Sequence, residues 1–111
     1  MILPQLNLSK KFTGMNYLDY IEFSDTELSE LHRRIGRNVA KARKERNISQ
    51  LDLALSIGYK STSVISKAEA GTEGRHFSIE QLYKIARALG IDMSLFFVEI
   101  SILTNNKTEV K

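Results

Sequence analysis

The chain contains no cysteine and no tryptophan, and a single proline. Without Cys there can be no disulfide framework, no Cys-ligated zinc or iron–sulfur site and no thiol nucleophile, and an intracellular setting becomes the default expectation. No stretch approaches the roughly 18 consecutive apolar residues of a membrane span. The short apolar start is followed by Lys10 and Lys11, the reverse of the order in a signal peptide. The chain is therefore expected to be neither targeted nor membrane-spanning. Catalytic sets are equally scarce. His32 and His76 are the only histidines; each lies beside an arginine (Arg33, Arg75) that opposes metal binding, and neither belongs to an i, i+4 pair. Both are expected on the surface or in loops. Ser66 and Lys67 lack the spacing of a nucleophile and its base, and the Gly71–Gly74 stretch is no phosphate loop because no Lys-Ser/Thr follows it. No active site, metal or cofactor is expected, and the chain does not read as an enzyme.

What is present is an ordinary soluble composition: 111 residues, 42% hydrophobic and 26% charged, enough for one domain with arms. The net charge of +3 is mild but unevenly spread. Residues 31–47 carry seven Lys/Arg against one Glu, a net +6, whereas residues 1–30 carry −3 and the two remaining stretches, 48–77 and 78–111, are neutral. Such a basic segment attracts polyanions by Coulomb steering and counterion release, although a basic helix face is often only a solvated surface.

From Ser24 onward the punctuation is helical. Ser24 and Glu27 have the form of a capping box, and Leu28, Leu31, Ile35, Val39 and Ala42 recur on one face of a helix expected over about 25–46. Asn47 suits the left-handed position after it, and Ser49 offers a cap to a second helix bearing Leu51, Leu53, Ala54 and Ile57, stopped by Gly58. Ser61 is read as the cap of a third short helix carrying Val64, Ile65 and Ala68 inward and ending at Gly71. Ser78 and Gln81 form another capping box, Phe77 and Leu82 a hydrophobic staple, and Leu82, Ile85, Ala86 and Leu89 a stripe before Gly90. Asp92 caps a last turn containing Leu95, Phe96 and Phe97. Beyond it, Val98, Ile100 and Ile102 alternate with polar residues, which predicts a short half-buried strand whose mate would be residues 17–23 or the same strand of a second subunit. Residues 1–23, with scattered aromatics, support either a short strand or an arm packed on a partner.

Two short helices joined by a Gly-containing turn and preceded by a basic helix outline a helix-turn-helix. The run Ser49-Gln50-Leu51-Asp52-Leu53-Ala54, then Gly58, then Ile65-Ser66-Lys67-Ala68-Glu69-Ala70-Gly71, then Leu82-Tyr83-Lys84-Ile85-Ala86-Arg87-Ala88-Leu89-Gly90 resembles the lambda-repressor and Cro-like (XRE) family of bacterial and phage DNA-binding domains over about 31–97. The resemblance implies an all-α fold, a compact five-helix domain at 25–97; the residues outside it read as an N-terminal arm at 1–24 and a strand or tail at 98–111. It also implies a transcriptional regulator, expected to be a dimeric repressor reading a pseudo-palindromic operator in double-stranded DNA, cytoplasmic and nucleoid-associated.

By the same resemblance, Thr62 and Ser63 hold the base-reading positions at the start of the third helix, with Ser66 and Lys67 further along its outward face. Gln50 is matched to a phosphate contact, and Arg37, Lys41, Lys44, Lys60, Ser61 and Arg75 are further candidates for the DNA backbone. Arg43 and Glu69 match a structural ion pair. The turn Tyr59-Lys60 is one residue longer than in the commonest members, and Ala68 and Ala70 replace a larger aliphatic and an Asn, so an alternative register that reads bases through Lys60, Ser66 and Lys67 stays open. The apolar end (Leu95, Phe96, Phe97, Val98, Ile100, Ile102) is expected to form a homodimer contact, having no obvious cover in so small a chain. Two other roles fit the same sequence: an antitoxin or restriction-modification controller whose arms bind a partner protein, and an interaction adaptor that does not bind DNA.

Overall fold

A computed structural model describes residues 21–100. The expectations placed on residues 1–20 and 101–111, including most of the N-terminal arm and Ile102, lie outside the described residues.

Ser24 starts α1 (Asp25–Glu45) with a complete capping box: its hydroxyl accepts from the Glu27 N–H at 3.0 Å, and the Glu27 carboxylate accepts from the Ser24 N–H at 3.3 Å. Asn47, at φ 57°, turns the chain, and Ser49 caps α2 (Gln50–Ser56) by accepting from the Asp52 N–H. Gly58, at φ 99°, takes a backbone conformation that side-chain-bearing residues rarely adopt. Next come α3 (Ser63–Ala70), one 3-10 turn at Thr72–Gly74, α4 (Ile79–Leu89) and a final 3-10 segment at Met93–Phe97. The fifth expected helix is thus a 3-10 segment, started by Asp92; the Ser94 N–H that its carboxylate accepts also holds that carboxyl below its usual range.

The start of α3 differs from the sequence reading. Thr62, already helical in φ and ψ, occupies the cap position without a side-chain bond, and Ser61 makes only a long 3.4 Å contact to the Ser63 N–H.

Each helix buries one face. Ile35 and Val39 of α1, Leu53 and Ala54 of α2, Ile65 and Ala68 of α3, and Leu82 and Ile85 of α4 meet in a single core together with Phe77. Phe96 is fully buried in the same core (0% exposed), which corrects its assignment to a dimer surface. The 3-10 geometry rotates it inward while Leu95 and Phe97 stay on the outside. The position of this end is set by Asn38, whose buried amide donates to the carbonyls of Phe96 and Val98, each at 2.9 Å. Those bonds hold Val98 and Glu99 in a turn, with Glu99 at φ 61°. The expected strand therefore does not begin at Val98, and among the described residues no strand is present.

Candidate nucleic-acid interface

Gly36 lets α3 approach α1 closely: a Cβ there would meet the Ala68 and Glu69 carbonyl oxygens at 2.5 and 2.7 Å. With its buried side fixed in this way, α3 turns the opposite side to solvent. Ser63 is exposed, and Thr62, Ser66 and Lys67 are half-buried. Val64, expected inward, is also only half-buried. Three of the candidate base readers thus lie along one helix of eight residues, about 12 Å long, and Thr62 stands at its cap; the roughly 12 Å wide major groove can admit such a helix.

Beneath this face Arg43 and Glu69 form a buried two-point ion pair, Nε to Oε2 at 2.8 Å and Nη2 to Oε1 at 2.9 Å. The remaining guanidinium nitrogen, Nη1, donates to the Ile48 carbonyl at 2.8 Å, so the charge is bound by hydrogen bonds on several sides. Glu69 Oε1 also accepts from Gln50 Nε2 at 2.9 Å. One carboxylate therefore joins α1, the first residue of α2 and α3. The link fixes the Gln50 side chain beside α3 and leaves its second amide hydrogen available to another acceptor. Sequence reasoning reached Gln50 and the ion pair but not the bond between them, which depends on how α2 and α3 cross.

Lys60, Ser61 and Arg75 are exposed in the turns that precede and follow α3. Arg37, Lys41 and Lys44 are also exposed, at i, i+4 and i+7 on the side of α1 opposite Ile35, Val39 and Ala42. They border a shallow depression floored by Ala40, and Lys41 is paired with Glu45 at 3.5 Å. The candidates thus fall into two sets, one around α3 and one stripe along α1.

The loop after α3 is docked on α1 by contacts absent from the sequence reading. His76 stacks on His32 with ring centroids 3.8 Å apart and planes 13° from parallel, and Arg33 lies along Gly71. His32 is half-buried rather than a surface residue, and its Nδ1 is sealed without a hydrogen-bond partner. Burial, and secondarily the neighbouring His76, lower its pKa. Lys67 is held by Glu73 of this loop at 3.1 Å. Among the described residues no three His, Asp or Glu side chains converge as metal ligands, and no helix is long and apolar enough to cross a membrane.

Residues 39–96, just over half the chain, match the helix-turn-helix family. Among solved structures, the fold is similar to that of the restriction-modification controller protein C.AhdI from Aeromonas hydrophila, at 28% identity and a TM-score of 0.53, over 59% of this chain and 94% of that one. No curated protein sequence matches. A short helix set on a paired helix with its polar face outward, over the matched span, is the family's defining unit, and the chain belongs to the helix-turn-helix family as a DNA-binding transcriptional regulator of the XRE type.

Proposed function

We propose that this regulator acts as a homodimeric repressor that reads a pseudo-palindromic operator by inserting α3 of each subunit into successive major grooves. The observation that carries the reading is the side of α3 away from the core, where Ser63 is exposed and Thr62, Ser66 and Lys67 are half-buried, with Glu69 tied to both Arg43 and Gln50. In this reading those four residues contact base edges. Gln50, Lys60, Ser61 and Arg75 hold phosphates beside α3, and Arg37, Lys41 and Lys44 hold phosphates along α1. The working domain is 25–97, with 1–24 and 98–111 as flanking arms open to a partner protein. The setting is the cytoplasm of a bacterium, on the nucleoid, the gene being chromosomal or phage-borne.

Dimerisation is assigned to Leu95, Phe97 and Val98, all substantially exposed at one end of the domain, with Ile100 packed beside the core. Two α3 helices would then lie about 34 Å apart, one turn of DNA. Selection of bound duplexes from a random pool tests the reading. It predicts enrichment of paired half-sites one turn apart; a pool that stays random, or a protein that shifts no duplex at low salt, leaves the adaptor role instead. A second reading, that the chain controls a restriction-modification operon, is favoured by its likeness to C.AhdI; neighbouring genes for an endonuclease and a methyltransferase would decide it.

A further inference from the structure

Between Leu53 and Ile79 the chain has two carboxylates, Glu69 and Glu73. Glu69 is consumed in the buried pair with Arg43. Glu73 is exposed and stands in the loop directly after α3, where an anion opposes the approach of phosphate. Its position is not loose. Gly71, Glu73 and Gly74 have φ of 71°, 57° and 68°, three left-handed residues within four, and a residue with a side chain adopts that conformation only at a cost. The Arg75 N–H closes the turn on the Thr72 carbonyl at 2.9 Å, and the stacked His76 ties the far end of the loop to α1. The coil delivers the Glu73 carboxylate to Lys67 Nζ at 3.1 Å, with the two side chains 62% and 36% exposed.

We propose that Glu73 is a brake on DNA affinity, acting by holding the Lys67 ammonium away from DNA. The inference rests on the reading of α3 as the DNA-facing helix. Lys67 can reach a base edge or a phosphate only by exchanging Glu73 for the DNA acceptor, and the released carboxylate then faces the phosphates. Both effects lower affinity for every duplex and favour release from an occupied site. The exposure of the pair allows the exchange without disturbing the core.

The test compares the wild type, Glu73→Gln, Lys67→Met and the double variant on a random-sequence duplex and on a duplex selected from a random pool, each at several salt concentrations. Thermal melts confirm that all four are folded, and glutamine keeps the size of the side chain in the left-handed position. Glu73→Gln is expected to bind both duplexes about tenfold more tightly at low salt, with log K against log salt steeper by about one unit per subunit on the random duplex, because one more cation of each subunit reaches phosphate. In the Lys67→Met background the same substitution should gain less than about threefold, the residue of long-range repulsion alone. No gain from Glu73→Gln, or an equal gain with and without Lys67, overturns the brake while the DNA reading stands. A wild type that binds neither duplex overturns both.

Discussion

Gly36 sits in the middle of a 21-residue helix, where glycine costs about 0.5–1 kcal/mol relative to alanine, and from sequence it reads only as a weak point. The structure explains it: α3 presses backbone carbonyls against it. Gly36→Ala should therefore destabilise, although alanine is the better helix former. Overpacking against backbone costs about 1–3 kcal/mol, seen as a lower urea midpoint; an unchanged midpoint would mean that α3 does not sit this close. His32 gives a second effect at this scale. Its pKa is lowered from the ordinary 6.5, so the unfolded chain takes up the proton first. The contribution of His32 is fully present above about pH 6.5 and is lost as pH falls through the lower folded value. Melting temperature measured from pH 7.5 to 5 should drop at the acid end, and His32→Phe, which keeps a flat ring on His76, should flatten that drop; an identical profile would remove His32 as its cause. The stacked pair was illegible in the sequence because its members lie 44 positions apart on different elements.

Helix boundaries were legible wherever a side chain caps its own helix: Ser24 with Glu27, Ser49, and Ser78 with Gln81 all act as their spacing indicates. The signal failed at Ser61, where Thr62 takes the cap position and the Ser61 hydroxyl accepts only a long 3.4 Å bond from the Ser63 N–H. It failed again at 98–100, where alternation suggests the start of a strand but Asn38 captures the Phe96 and Val98 carbonyls. A polar residue among the apolar positions of α1 gives no hint of a partner 58 residues away. Asn38→Ala should leave two carbonyls without their donor and cost about 1–3 kcal/mol. It should also speed amide exchange through Met93–Phe97 more than through α3. Uniform protection after the substitution would show that core packing of Phe96 alone fixes this end.

For the whole molecule, the basic segment at 31–47 fits a polyanion or a solvated helix face equally, and it is the helix-turn-helix spacing that makes DNA legible in the sequence. Which apolar residues face outward was less legible, since a 3-10 segment does not follow the 3.6-residue period: Phe96 is core while its neighbours are surface. If the proposed dimer forms through this end, Leu95→Ser with Phe97→Ser should convert it to a folded monomer in sedimentation, whereas Phe96→Ser should unfold the domain. A double variant that stays dimeric would place the contact elsewhere.

Whether the outward face of α3 reads sequence is decided by titration of Thr62→Ala, Ser63→Ala and Arg37→Ala on a selected duplex and a random one across salt concentrations. Loss of a base contact at Thr62 or Ser63 should cost about 1–3 kcal/mol on the selected duplex and little on the random one. Loss of Arg37 should weaken both alike and lower the salt slope by about one unit per subunit. If Thr62→Ala and Ser63→Ala weaken both duplexes equally, the start of α3 holds DNA without reading it.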